Sequence, residues 1–252
     1  MTDVADRHRI VLAPSIARDQ SYPVVIALHG QPHRAQDPRD YRFPETVTRA
    51  AESLWAHGDA QPFVLALPVF RFMGVNWPAF DLVLFRKALE RQLTAEGIHT
   101  SSYYVLGHSA AAGCGGQGMN DAHRIAPAAV GLFDTCVGAG FRNEVRALRK
   151  AGIATLLIHS VETAGFRPRQ RREYMTTFDF GKVYAPLGLA PSACPSRVPE
   201  APLRPQPFRC AVDETGVLRA FVLDTGSGEE GHNAVIPVAF SYFVREYLSS
   251  KP

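Results

Sequence analysis

Short apolar runs alternate with longer stretches that carry one apolar face along most of this chain. The apolar runs, which predict strands, are 9–12, 23–28, 63–67, 103–106, 128–133, 154–159 and 218–223. The stretches that predict helices are 44–57, 80–97, 141–152 and 237–248. In the second of these, Leu82, Phe85, Leu89 and Leu93 recur at helical spacing. Because strands apolar on both faces alternate with helices, the pattern predicts an α/β fold with a mostly parallel sheet flanked by helices.

The alternation breaks between Glu162 and Cys210. Eight of the nineteen prolines lie here, from Pro168 to Pro207. A loop of this length inside a compact domain is usually functional or disordered. The chain shows no internal repeat, and the first strand, 9–12, is expected at a sheet edge. We therefore expect a single domain over the whole chain, with this segment inserted before the last strand.

Composition excludes several classes of protein. The net charge of +3 is too small and too dispersed to indicate nucleic-acid binding. No run approaches the ~18 apolar residues of a membrane helix, so we expect no membrane partner. The first seven residues contain acids and no apolar core, unlike a signal peptide. We expect a cytoplasmic protein, or a secreted or periplasmic one if a signal peptide has been removed.

Four arginines cluster in the insertion, at Arg167, Arg169, Arg171 and Arg172. One interpretation is a solvated face of the protein. The other is a cap that attracts a carboxylate or phosphate on a substrate, with Arg167 and Arg169 as substrate-binding residues.

The four cysteines carry no metal or redox signature, because no CxxC occurs. Cys194 and Cys210 flank a proline-rich stretch, and in an oxidising compartment they could form a disulfide. Cys114 is expected to be a small buried residue. We expect four reduced thiols, in keeping with a cytoplasmic protein.

The strongest chemical signal is the pentapeptide from Gly107 to Ala111, Gly-His-Ser-Ala-Ala, which follows the strand 103–106. It is typical of a serine on a tight turn between a strand and a helix, with small residues where the backbone is crowded. Ser109 is the candidate nucleophile, and a helix is expected to begin at about Ala110. A helix-capping serine is the alternative interpretation.

Three histidines lie near the predicted strand ends. A serine hydroxyl needs a base within hydrogen-bond reach, and His232, on a glycine-rich loop after the last strand, is the candidate. His29, followed by Gly30, ends the strand 23–28, where we expect a structural role. His108 is expected to point away from Ser109, because successive side chains at a strand end alternate.

These motifs, in the order serine, acid and histidine, resemble the α/β-hydrolase superfamily over roughly residues 20 to 250. The resemblance implies a serine hydrolase in which Ser109 attacks a carbonyl and His232 moves the proton. It implies no metal or organic cofactor. At the second position after the serine the superfamily prefers glycine, and Ala111 stands there instead.

The resemblance also implies an acid, an oxyanion hole and a lid. Asp134, directly after the strand 128–133, is the preferred acid, and Glu162, after the next strand, is the alternative. The oxyanion hole would use the backbone N–H groups of Ala110 and Gln31. Residues 162–210 would form a lid or cap over the site. The substrate would be an ester or amide of a small molecule, and only the arginine cluster favours an anionic one.

Other functions compete with this one. Gly113 to Gly118 matches GxGxxG, and Asp134 lies at about the distance expected of a nucleotide-dependent oxidoreductase. However, the first glycine of that motif should follow its strand directly, and here residues 107–112 intervene. A catalytically inactive binding protein on the same fold is a second alternative. A peroxidase or lyase of the same superfamily is a third.

Overall fold

The computed structural model of the chain describes residues 7–30, 42–69, 77, 80–112, 118–136, 138–160, 184–194, 209–223, 225 and 228–249. Within these ranges nine strands form one sheet. They are β1 (Arg7–Leu12), β2 (Gln20–Leu28), β3 (Val64–Val69), β4 (Ile98–His108), β5 (Ala129–Phe133), β6 (Ala154–Ser160), β7 (Ala190–Ser192), β8 (Arg209–Val212) and β9 (Leu218–Leu223). Their order across the sheet is β1-β3-β2-β4-β5-β6-β9-β8-β7.

The central strands of this sheet are parallel. Every neighbouring pair from β3 through β9 runs in the same direction. At one edge β1 pairs antiparallel with β3, and at the other β8 and β7 continue the sheet antiparallel. The predicted α/β fold with a mostly parallel sheet is confirmed, as is the position of the first strand at an edge.

Helices cover both faces of the sheet. They are α1 (Phe43–Ala56), α2 (Leu82–Ala95), α3 (Ala139–Lys150) and α4 (Gly228–Tyr247). Side chains of β2 alternate between the two apolar layers, so that Val24 and Ile26 pack with α2 and α3 while Val25 and Ala27 pack with α1 and α4. Among the described helices, none combines the length and apolar character needed to cross a bilayer.

Local sequence chemistry explains where two of the helices begin. The side chain of Asp81 accepts hydrogen bonds from two backbone N–H groups and caps the start of α2. Helix α4 begins at Gly228, with two glutamates in its first turn that favour a helix N-terminus. We predicted that this helix begins at Pro237, which is wrong, since Pro237 lies inside it. His232 is therefore carried by a helix and not by a loop.

The chain reverses its direction of travel across the sheet between β2 and β4. It passes from β2 to β3 on one side and then returns to β4 on the other side of β2. Leu28 of β2 is opposite Gly107 of β4, and His108 is opposite Phe133 of β5. The residues that follow these three strands therefore lie together along the edge of the sheet that is formed by the carboxyl ends of its parallel strands. In open α/β sheets such a reversal is where ligands bind.

The described part of the insertion contributes to the sheet. Residues 184–194 include β7, which pairs with β8 and is the last strand of the sheet. This part of the expected lid therefore belongs to the sheet. The remainder, 161–183 and 195–208, lies outside the described residues. The search for apolar runs does not predict β7, because this strand has three residues and one of them is proline.

The three described cysteines are not reduced thiols as we expected, and Cys114 lies outside the described residues. Cys194 and Cys210 form a disulfide with Cα atoms 5.1 Å apart, which joins β8 to the end of the β7 segment. Cys136 is disulfide-bonded too, and none of the described cysteines is free. Spacing alone could not reveal this pairing, because it depends on the hairpin that brings β7 beside β8.

We expect the Cys194–Cys210 disulfide to stabilise the fold by about 3 kcal/mol, since it closes a loop of 16 residues in the unfolded chain. Non-reducing digestion should yield the two cysteines in one linked peptide pair. The double variant Cys194→Ser/Cys210→Ser should unfold at lower urea concentration than the wild type. Equal unfolding free energies for the two proteins would contradict this expectation.

Candidate active site

Ser109 occupies a strained turn at the carboxyl end of β4. Its φ angle is 54°, in the left-handed region that residues with a Cβ rarely adopt. A single turn of 3₁₀ helix covers Ser109–Ala111, and the chain is extended again at Ala112. The α-helix that we expected from Ala110 is therefore absent from the described residues 109–112. The strain lifts the serine out of the line of the strand.

Small residues make this turn possible. A Cβ on Gly107 would overlap the Sδ atom of Met119 and would lie 2.8 Å from the Cβ of Ala111. A Cβ on Gly30 would lie 2.5 Å from the Cβ of Ser109 and 3.1 Å from its Oγ. Gly107 and Gly30 must therefore be glycine for steric reasons, whereas position 111 accepts a methyl group. Alanine, the smallest residue that carries a Cβ, occupies that position.

Asp134 follows β5 and lies at the same sheet edge as Ser109. Its backbone is also in the left-handed region, with φ of 47°. Its carboxylate accepts hydrogen bonds from Ser160, at 2.9 Å from the backbone N–H and at 2.7 Å from the hydroxyl. A third donor is Nδ1 of His232, which lies 2.5 Å from Oδ2. We expected no role for Ser160, which is the last residue of β6, whereas Asp134 directly follows β5.

These donors keep the buried carboxylate ionised. Burial alone would raise the pKa of Asp134, but the His232 imidazole, with smaller effects from His159 and Ser160, lowers the pKa to about 2. The carboxylate is therefore negatively charged at neutral pH.

His232 lies near the start of α4, and its ring contacts the Asp134 carboxylate. Because a carboxylate can only accept, Nδ1 of His232 carries the proton in their hydrogen bond, and in the neutral ring Nε2 is left as the acceptor. The hydroxyl of Thr225 donates to the carbonyl of Gly231 at 2.7 Å and anchors the preceding residue. The structure thus brings His232 and Asp134 together, as sequence reasoning predicted.

His108 contacts His232 and not solvent. We expected this side chain to point away from Ser109, and its described contacts include His232. Its ring centroid is 4.4 Å from that of His232, and its Nε2 lies 3.1 Å from the His232 carbonyl oxygen. Burial, with His232 as a further cause, lowers the pKa of His108 to about 3, so the ring is neutral at physiological pH.

A tryptophan holds the turn after β2. The indole N–H of Trp77 donates to the carbonyl of His29 at 2.8 Å, and the two rings are 4.5 Å apart. Nδ1 of His29 in turn donates to the carbonyl of Gly30 at 2.6 Å. Burial lowers the pKa of His29 to about 4. These contacts are the basis for the expected structural role of His29. They hold the turn that contains Gly30, and Gly30 packs against Ser109.

A third buried histidine, His159, connects the site to the described part of the insertion. Nδ1 of His159 lies 3.0 Å from the hydroxyl of Tyr184. Burial lowers the pKa of His159 to about 4, although the nearby Asp134 opposes the shift. Tyr184 is fully buried, so the first described residue after 161–183 is fixed beside the end of β6. No sequence signal indicated Tyr184.

Several predicted site residues lie outside the described parts of the chain. They are Gln31 of the expected oxyanion hole, the alternative acid Glu162, and the arginines Arg167 and Arg169. Most of the GxGxxG match, 113–117, lies outside as well. Ala110, the other expected oxyanion donor, is described and buried next to Ser109. Within the described ranges, no group of three or more potential ligands is arranged to hold a metal ion.

Comparison with known proteins identifies the fold. No protein-family model and no curated protein sequence matches the chain. Among solved structures, a ferulic acid esterase matches 98% of this chain and 95% of its own, at 14% identity and a TM-score of 0.53. A mutant feruloyl esterase module from Clostridium thermocellum, complexed with sinapinate, matches 97% and 85%, at 8% identity and a TM-score of 0.55. The siderophore hydrolase EstA from Aspergillus nidulans matches 94% and 87%, at 11% identity and a TM-score of 0.53.

We expect the Asp134 carboxylate to make stability depend on pH. Because folding lowers its pKa from 3.8 to about 2, its ionisation stabilises the fold above pH 4 and ceases to do so as the pH falls through 2. Urea unfolding of the wild type and of Asp134→Asn should show a difference near pH 5 that shrinks by about 2 kcal/mol at pH 2. A difference that is constant across this range would contradict the assignment.

Proposed function

We propose that this chain, which has the α/β-hydrolase fold, is a serine hydrolase that cleaves an ester of a small molecule through an acyl-enzyme intermediate. The observation that carries the proposal is the hydrogen bond between Nδ1 of His232 and Oδ2 of Asp134 at 2.5 Å. It lies at the same sheet edge as Ser109, which has the strained backbone of a serine on a tight turn.

The proposed reaction begins with attack of the Ser109 hydroxyl on the ester carbonyl. His232 accepts the hydroxyl proton at Nε2 and then donates it to the leaving alcohol. In the second half His232 takes a proton from water as the water attacks the acyl-enzyme, and it returns this proton to Oγ of Ser109 as the acyl–Oγ bond breaks and the carboxylic acid leaves. Asp134 stays ionised throughout, holds the imidazole tautomer and stabilises the imidazolium that forms.

The tetrahedral intermediate carries a negative oxygen that needs donors. We propose the backbone N–H groups of Ala110 and Gln31 for this role. Support comes from the close packing of Gly30 against Ser109, which brings the turn after β2 to the serine. One such donor is worth about 3 kcal/mol in the transition state.

The names of the similar structures favour esters over amides as substrates. They include esterases for feruloyl groups and a hydrolase for siderophores, and one of them holds sinapinate. We propose that the acyl or alcohol part of this ester carries a carboxylate, which Arg167 and Arg169 bind in a lid formed from those residues of 162–210 that lie outside β7 and β8. No nucleic acid, membrane or cofactor takes part in this proposal.

The disulfides bear on where the protein acts. Disulfides persist in oxidising compartments and are rare in the cytoplasm. The bond between Cys194 and Cys210 therefore favours the secreted or periplasmic alternative over the cytoplasmic location that we expected.

The triad is tested by hydrolysis of 4-nitrophenyl acetate. We expect Ser109→Ala and His232→Ala each to lower kcat by about 10⁴- to 10⁶-fold, and Asp134→Asn by about 10⁴-fold, because it leaves the imidazole without its orienting carboxylate. Glu162→Gln is the matched control and should keep most of the activity. A loss in Glu162→Gln with activity retained in Asp134→Asn would reassign the acid. A wild type that turns over no ester would favour a binding protein with the same fold.

The arginine proposal is tested with two esters that share a leaving group. The variant Arg167→Ala/Arg169→Ala should raise KM for 4-nitrophenyl hemisuccinate by about 10-fold or more, because bonds between charged groups are lost. KM for the neutral 4-nitrophenyl butyrate should stay unchanged. The double variant Arg171→Ala/Arg172→Ala is the control for net charge. Equal changes for both esters would contradict recognition of an anion.

A further inference from the structure

We propose that His108 is a positioning residue for His232, and that it acts by holding the helical turn from which the base projects. The inference rests on the proposed function, in which His232 is the base. It goes beyond that function, because the serine, the acid and the base do not by themselves require a histidine at position 108.

The contact between the two residues fixes the protonation of His108. A carbonyl oxygen can only accept a hydrogen bond, so Nε2 of His108 must carry the proton that it donates to the His232 carbonyl at 3.1 Å. In the neutral ring Nδ1 then carries none. Nδ1 is buried and has no hydrogen-bond partner within the described residues. A second proton there would place a buried charge with no acceptor, which is unfavourable.

Neutrality of His108 matters because its neighbour must become charged. The groups from other elements that face His232 in the described part of the chain include the His108 ring on β4, the Asp134 carboxylate after β5 and the His159 ring on β6. During turnover His232 takes up a proton while Asp134 supplies the compensating charge. Because burial keeps both other rings neutral, neither repels the imidazolium.

The turn that carries His232 needs support from outside its helix. Pro237 has no N–H, so it cannot donate to the carbonyl of Asn233 four residues earlier, and its ring crowds that turn. The backbone carbonyls of Gly231 and His232, directly before Asn233, each accept a hydrogen bond from a side chain of another segment. Thr225 donates to Gly231 at 2.7 Å and His108 donates to His232 at 3.1 Å.

The packing around His108 allows the donor to be removed without a large cavity. Its side chain is buried, and the ring of Phe43 stacks over it with centroids 6.1 Å apart and planes 20° apart. Leucine is apolar and close to histidine in size, so His108→Leu removes the N–H while it keeps apolar contacts. His108→Gln carries an amide N–H at nearly the reach of Nε2, so it is the variant that should restore the bond.

The experiment measures kcat and KM for 4-nitrophenyl acetate together with the proton NMR signal of the Nδ1–H of His232. We expect His108→Leu to lower kcat by about 10- to 100-fold with little change in KM, because a small displacement of the base slows the chemical step. The Nδ1–H signal should broaden in this variant. His108→Gln should recover most of kcat and a sharp signal.

Thr155→Val is the control for a general loss of stability. The Thr155 hydroxyl donates to the carbonyl of Ile153 at 2.9 Å at the opposite end of β6, so this variant also loses a buried bond to a carbonyl. Urea unfolding ranks the stabilities of the variants. We expect Thr155→Val to be destabilised yet to keep the wild-type kcat and NMR signal.

Two results would overturn the inference. One is His108→Leu with the kcat and the Nδ1–H signal of the wild type. The other is a loss of kcat in His108→Leu that His108→Gln does not recover although it is folded. If the wild type hydrolyses no ester, the proposed function fails, and the NMR comparison still decides whether His108 holds His232 in place.

Discussion

The buried negative charge of Asp134 is the constraint on which the site depends. A carboxylate away from water is tolerated only when charged or polar donors surround it. Here the donors come from two different elements, Ser160 at the end of β6 and His232 on α4. The hydrogen bonds that stabilise this buried charge therefore also hold α4 against the sheet. They also set the tautomer of the imidazole.

Close backbone packing is the second constraint, and it explains why the site lies between β2 and β4. The chain leaves the ends of β2 and β4 in opposite directions across the sheet, towards β3 and β5, so no connecting helix has to pass between these two strand ends. Gly30 approaches Ser109 so closely that a methyl group on it would overlap the serine. Ser109 and Asp134 both hold positive φ angles at adjacent strand ends. Two apolar layers beneath them, one on each face of the sheet, hold this strained backbone in place.

Local pattern predicted most of the fold, and contacts between distant segments account for most of the rest. Long apolar runs such as β2 were recognised because they are buried on both faces. The sequence does not reveal the start of α4, because Pro237 resembles a first-turn proline, although the helix begins nine positions earlier at Gly228 and has acidic residues in its first turn. The contact of His108 with His232 could not be predicted from the sequence, because it spans 124 positions. The place of Asp134 at a strand end could be predicted, since a polar residue after a buried strand is itself a local signal.

The most direct test of the account is reaction of the purified protein with a fluorophosphonate, followed by mass spectrometry of its peptides. The reagent phosphonylates a serine that a neighbouring base activates. The account predicts one adduct per chain, on Ser109, and none in a folded His232→Ala variant. No adduct in the folded wild type, or an adduct on Ser109 that persists without His232, would contradict it.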